Sequence, residues 1–455
     1  MTTDRTRFTM LLFPTAFLLL TAALMGTAAG ADSLVLEGGT VHSMAAEPRV
    51  ATVWIQDGII RGVGDAITAP ADAKRLDVSG LHVYPGMLDA FSRVGLTEIG
   101  AVPATVDTAE LGEFNPHLTA ATAVHPASEV IPVTRSTGIT HSLSAPAAQD
   151  EGIVPGQASL IHLDGWTVDD MAIAPSAAMV IEWPEIETRT FNFATFSVRE
   201  KPFGEAQEEA EQAQEQLLDW VDAARHYRQA AGSPRLERNL RLEALTRILD
   251  GGMPVLIRAD AKRDIEAAVH FAVEQDLRMI LVGGRDAFKV KDLLVEHDIP
   301  VILGLTLSLP EQDDDPYDRP FRTPGELRGA GIQIAFGSSA GGGFGPGGPH
   351  GARTLPYEAA VAVAHGLDET EALRALTLYP AQMLGLGDRL GTVEAGKVAN
   401  LIVTDGSPLE LTTRVHHLLI DGREVTTDNK HERLFRKYRD RPEPPAPAGA
   451  ADRRP

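Results

Sequence analysis

Three arginines stand close behind apolar runs of the kind that form buried strands: Arg93 after Met87-Leu88-Asp89-Ala90-Phe91, Arg258 after Val255-Leu256-Ile257, and Arg285 after Met279-Ile280-Leu281-Val282. A guanidinium is planar, always charged and presents a fork of donors, so two or three converging on one spot would grip a carboxylate or phosphate through paired hydrogen bonds. The structural alternative is that Asp89, Asp260 or Glu98 neutralises each arginine, because a buried unpaired charge is costly. Ser338 and Ser339 could be nucleophiles beside a base, although serines in a Gly-rich stretch are commonly turn residues. His125, His141, His162 and His350 follow no H-x-H or H-E-x-x-H pattern, so a metal site would need several of them to converge, and ordinary structural histidines are the simpler reading. The glycine run from Gly341 to Gly348 lacks the G-K-[ST] ending of a phosphate loop, Asp313-Asp314-Asp315 lacks EF-hand spacing, and His416-His417 falls on an expected strand that would turn one ring outward.

These residues need a scaffold, and the hydrophobic rhythm supplies one. From Met253 onward, short apolar runs (Met253 to Ile257, Met279 to Val282, Pro300 to Leu303, Ile332 to Phe336) alternate with helical stretches near 264–275 and 286–297. Strand and helix in that alternation mark βα units, and so long an array favours a (β/α)8 TIM-like barrel, with active-site residues at the carboxyl ends of the strands. No G-x-G-x-x-G run follows a first strand, which argues against a Rossmann sheet. Before the array, Leu34-Val35-Leu36, Thr52-Val53-Trp54-Ile55, Asp57-Gly58 and Ile59-Ile60 read as hairpins; near the other end Leu401-Ile402-Val403 and Leu418-Leu419-Ile420 read likewise. The expected architecture is α/β: residues 1–31 a leader, 32–84 the first part of a small composite β-sandwich, 85–388 the barrel, 389–428 the rest of the sandwich, and 429–455 a helix and disordered tail. Glu205 to Arg247, polar with apolar residues at helical spacing, is expected as a helical excursion outside the barrel.

Three phrases, in order, carry a resemblance: Val83-Tyr84-Pro85-Gly86-Met87-Leu88-Asp89, Thr377-Leu378-Tyr379-Pro380-Ala381, and Gly391-Thr392-Val393-Glu394-Ala395-Gly396-Lys397. Together they resemble the amidohydrolase superfamily, in its imidazolonepropionase-like branch. Ile131-Pro132-Val133-Thr134-Arg135, Pro155-Gly156-Gln157-Ala158 and Val282-Gly283-Gly284-Arg285-Asp286 look most like an exported bacterial subgroup that often lacks the metal-binding histidines. The resemblance implies a metal held by two histidines of strand one, which fall here on Phe91 and Arg93. It places a strand-five histidine on Arg258, a strand-six histidine on Gly283 or, with the register shifted by two, on Arg285, and a strand-eight aspartate on Ser339. The bridging lysine or glutamate of strand four has Glu182 as its nearest counterpart. Phenyl, guanidinium and hydroxyl groups in those places would not assemble a zinc site, so metal-assisted hydrolysis there is not expected and no cofactor is implied.

Arg5 and Arg7, an apolar run from Met10 to Met25 and Ala29-Gly30-Ala31 follow the plan of a secretory leader, so an exported, periplasmic or secreted protein is expected, with no stable membrane insertion after cleavage. The absence of cysteine excludes disulfides, thiolate ligands and a cysteine nucleophile. A formal net charge of -22 disfavours nucleic acid. Three functions remain open: a metal-free relative of cyclic-amide hydrolases that binds a small anionic molecule or a partner such as an active amidohydrolase paralogue; a hydrolase of non-peptide C–N bonds with a rebuilt site; and a purely structural protein.

Overall fold

The computed structural model describes residues 33–148, 152–192, 197–304, 306–310, 315–341 and 349–442. The expected leader, the acidic run at 313–314, the glycine run at 342–348 and the tail beyond 442 lie outside the described residues. Eight strands form one nearly closed sheet, labelled here β1 (Met87–Ser92), β2 (Ile139–Ser144), β3 (Gly156–His162), β4 (Ala172–Glu182), β5 (Val255–Ala259), β6 (Met279–Gly283), β7 (Val301–Leu303) and β8 (Ile334–Phe336). They follow each other around the barrel in chain order. Most are buried along their whole length, as strands covered on both faces must be, which explains their unbroken runs of Val, Ile, Leu and Met.

The α/β expectation holds, with one departure from a uniform (β/α)8 alternation. Strand β3 is antiparallel to both neighbours, while β4 to β8 are mutually parallel and β1 is parallel to β2. The connection from His162 to Ala172 carries only the four-residue helix Val168–Met171, too short for a crossover between parallel strands. Elsewhere the crossovers are helical: Lys262–Glu274 buries Ile265, Ala268, Val269 and Ala272, one stripe at helical spacing, against the sheet. The helix expected across 286–297 is divided into Ala287–Lys289 and Lys291–Glu296 around Val290, whose φ of -125° is not helical.

The barrel closes where β8 meets β1. The Ser339 amide donates to the Phe91 carbonyl at 2.9 Å, and the Ser338 amide to Asp89 Oδ1 at 2.9 Å. Gly337 makes that approach possible, since a Cβ there would lie 2.8 Å from Phe91 Cβ.

A second eight-stranded sheet gathers both chain ends. Ser33–Val41 pairs with Arg49–Gln56, Lys74–Asp77 and His82–Pro85; Leu401–Thr404 then pairs with His82–Pro85 on one side and Val415–Ile420 on the other. It encloses its own core of Leu36, Val53, Ile55, Ile60, Val83, Leu401, Val403 and Leu419. The Asp57-Gly58 turn has both residues at positive φ (53° and 76°), the geometry its hairpin requires. The polar stretch before β5 is a 27-residue helix, Phe203–Gln229, with Leu217, Val221 and Ala224 against the barrel wall and its remaining surface largely charged.

Candidate functional site

The carboxyl ends of β1, β4, β5 and β8 bring one charged cluster together. Phe91, fully buried, fills space with its ring, and the Arg93 guanidinium lies 5.3 Å from that ring's centre. Arg93 also donates to the Ala145 carbonyl just beyond β2. The pairing of β5 with β4 sets Arg258 directly opposite Glu182, and Arg258 Nη1 stands 3.5 Å from Glu182 Oε2. Burial lowers the Arg93 pKa to about 10, the Glu182 charge opposing and the Arg258 charge adding to that shift. Arg93 therefore remains charged at neutral pH, and among the described residues it has no ion pair of its own.

The acids expected to neutralise the arginines are engaged elsewhere. Asp89 Oδ1 accepts from the Ser338 and Phe91 amides, and burial raises its carboxyl to about 6. Asp260 Oδ1 accepts from the Arg285 amide at 3.1 Å, and Glu98 accepts from Ser128 and the Glu129 amide. Glu182, the nearest counterpart of the strand-four bridging residue, is the partner instead. The signal that could have found it is register: a charged residue ending one buried parallel strand must face whatever ends the next.

Gly283 is the last residue of β6 and turns the chain at φ 89°, where a Cβ would lie 2.7 Å from Asp260 Oδ1. Arg285 is exposed on the loop beyond it, and the charges that act on Arg93 are those of Glu182 and Arg258. Ser339 is 6% exposed, and its Oγ has no hydrogen-bond partner among the described residues. Ser338 Oγ lies 3.5 Å from Ser92 Oγ, so neither serine has the base a nucleophile needs. His141 and His162 face each other at the opposite, amino end of the barrel, while His125 and His350 are exposed.

Sequence reasoning missed Glu185. It follows β4 in the Trp183-Pro184-Glu185 turn at the mouth, where its Oε1 accepts from the Asp260 amide at 3.2 Å. Burial, reinforced by the negative charges of Asp260 and Asp264, raises its carboxyl to about 7. A carboxyl poised there can exchange a proton near neutrality.

A divalent cation does not fit the cluster around Phe91, Arg93, Arg258, Gly283 and Ser339. Two permanent cations repel it, and the ring, the glycine and a single hydroxyl offer no first shell. Among the described residues no three His, Asp or Glu side chains converge as ligands.

Residues 327–428 match the sequence model of the Amidohydrolase family. Amidohydrolase tasK of Hapsidospora irregularis is 25% identical over 405 residues, a match covering 81% of this chain and 39% of that protein. The chain thus spans well under half the length of that curated relative. The crystal structure of an amidohydrolase from Thermotoga maritima MSB8 superposes with a TM-score of 0.73 at 25% identity, covering 86% of this chain and 99% of its own. Molinate hydrolase shares the fold at a TM-score of 0.52 and 16% identity, over 87% of this chain and 95% of that one. Residues 327–428 thus form an Amidohydrolase family domain, and the barrel with its second sheet made from both chain ends has the fold of the Thermotoga amidohydrolase over 86% of the chain.

Proposed function

We propose that this chain is an exported member of the superfamily whose barrel mouth binds a small anionic ligand or an acidic group of a partner, without metal-assisted hydrolysis. The observation that carries this reading is the pair of guanidiniums at the mouth: Arg258 pairs with Glu182 at 3.5 Å, whereas Arg93, close enough to feel both charges, has no ion pair among the described residues. The surplus positive charge stands where the resemblance puts a metal, and it attracts an anion without supplying Lewis acidity or an activated water. The buried, unpartnered Ser339 hydroxyl adds a donor close to the end of β1. Carboxylates and phosphates are the ligand classes that match a guanidinium fork.

The test is a thermal-shift screen of carboxylates and phosphates, run together with elemental analysis of the purified protein. A ligand a hundredfold above its dissociation constant stabilises the fold by about 2.7 kcal/mol, and Arg258→Ala should abolish that shift while the barrel stays folded. A screen without a hit, or about one zinc per chain bound between these residues, overturns the reading. An active amidohydrolase paralogue as partner belongs to the same proposal, and co-purification on the tagged chain, lost in Arg258→Ala, tests it. Export is tested by mass spectrometry of the secreted or periplasmic form: cleavage after Ala31 supports it and an intact Met1 start refutes it.

Glu185 favours one second reading, a hydrolase of non-peptide C–N bonds with a rebuilt site, because its carboxyl is poised for proton transfer at the mouth. Turnover of cyclic amides or ureas that disappears in Glu185→Gln would establish it in place of the binding reading.

A further inference from the structure

The helix Lys430–Arg439 is basic on an acidic chain. It carries Lys430, Arg433, Arg436, Lys437 and Arg439 against one acid within the helix, Glu432; Asp428 pairs with Arg433 and Arg436 and Asp440 with Arg439, while the whole chain has a formal net charge of -22. None of its residues is buried. Leu434, Phe435 and Tyr438, which the helical period sets on one face, are 39%, 60% and 58% exposed. The helix is held at its start by the buried Asn429 cap and along one side by Arg433 on Glu129 and His431 on Arg353. Lys430 and Lys437 have no carboxylate partner among the described residues.

A groove of about 310 Å³ on the flank of the barrel has the opposite character. The Phe114 and Trp220 rings stack in it with centroids 5.1 Å apart and planes 15° from parallel. Glu113 and Asp219 line it and are unpaired among the described residues, and Arg241 is its single cation. Within one chain the two features do not meet, because the anchored helix contributes no residue to the groove.

We propose that the Lys430–Arg439 helix of one chain docks into the Phe114–Trp220 groove of a second copy. The partner follows from charge: an apolar face rimmed by cations needs an aromatic floor rimmed by carboxylates, and this chain presents one. An anionic lipid surface would attract the helix but repel the acidic body that carries it. Two copies exchanging helices reciprocally close a two-fold dimer in which the ring side chains anchor the contact and the charges set its orientation.

The test is sedimentation velocity of the full chain over a concentration series at low and high salt, with circular dichroism confirming that each variant is folded. The wild type should dimerise, and more weakly at high salt. Phe435→Ser with Tyr438→Ser should raise the dimer dissociation constant by about tenfold or more, as should charge reversal of the helix by Lys430→Glu with Lys437→Glu. Adding Glu113→Lys and Asp219→Lys to the reversed helix should restore the dimer. A wild type that stays monomeric, a dimer indifferent to the helix variants or not restored by the groove reversal, or binding to anionic vesicles without self-association would each overturn the proposal.

Discussion

At the amino end of the barrel His141 of β2 faces His162 of β3, both nearly fully buried; at the carboxyl end Arg258 pairs with Glu182 and Arg93 stands close to both charges. His141 Nδ1 lies 2.7 Å from Thr140 Oγ1, but its Nε2, His162 Nδ1 and Asn400 Nδ2 have no partner among the described residues. His141 and Asn400 line a cavity of about 10 Å³, room for about one water. Burial, with the His162 charge adding, lowers the His141 pKa to about 3, so His141 meets the loss of solvent by giving up charge, while His162 Nε2 lies 3.5 Å from Asp421 Oδ2. Arginine has no such exit. Burial takes Arg93 only to about 10, leaving it charged, and the mouth must therefore hold a counterion of its own or bind one. That contrast separates a structural end from a binding end, although both are rich in buried polar groups.

The largest expected effect comes from removing the Glu182 carboxylate. Glu182→Ala should destabilise the fold by about 3–5 kcal/mol in chemical denaturation, with part of the loss recovered by added phosphate. A variant as stable as wild type would show that the two ends do not differ in kind.

The amino end should show itself in acid. The folded-state pKa of His141 lies below that of the unfolded chain, so its stabilising share is complete above pH 6.5 and falls as the unfolded chain takes up the proton. Between pH 6.5 and 5 that share amounts to about 2 kcal/mol. His141→Gln should be correspondingly less sensitive in urea midpoints at pH 7 and pH 5; equal acid sensitivity would mean the ring is not held neutral.

Glu185 titrates in the opposite sense. Its folded pKa of about 7 is above the unfolded value of 4.5, so its share is complete below pH 4.5 and is lost as the pH rises through 7. Glu185→Gln should be more stable than wild type at pH 8, by about 3 kcal/mol, with the gap closing toward pH 4.5. A gap that does not vary with pH would place Glu185 in solvent.

Ser339→Ala should have the smallest effect on the fold, a change below about 1 kcal/mol, because its hydroxyl has no partner to lose. Its anion affinity should nevertheless fall, as read by the thermal shift. Unchanged affinity would remove Ser339 from the site.

The paired strands of the two chain ends, the strand and helix rhythm after Met253 and the long polar helix before β5 were all legible because hydrophobic periodicity is local: each segment carries its own record of which face is covered. The reversal of β3 was less so, since an apolar run such as Ala158-Ser159-Leu160-Ile161 is compatible with either direction and only the short connection that follows it decides.

By itself the sequence determined the chemical inventory of the mouth. Phe91, Arg93, Arg258 and Ser339 are what they are in any fold, and no arrangement of them makes a zinc site. Only the tertiary structure decided the pairing: that Glu182, rather than Asp89, Asp260 or Glu98, answers Arg258, and that Glu185 is pressed against Asp260. The reason is register. Glu182 and Arg258 are separated in the chain by a 27-residue helix, and the only thing that sets them side by side is the ladder between two buried strands, a relation that no local pattern records.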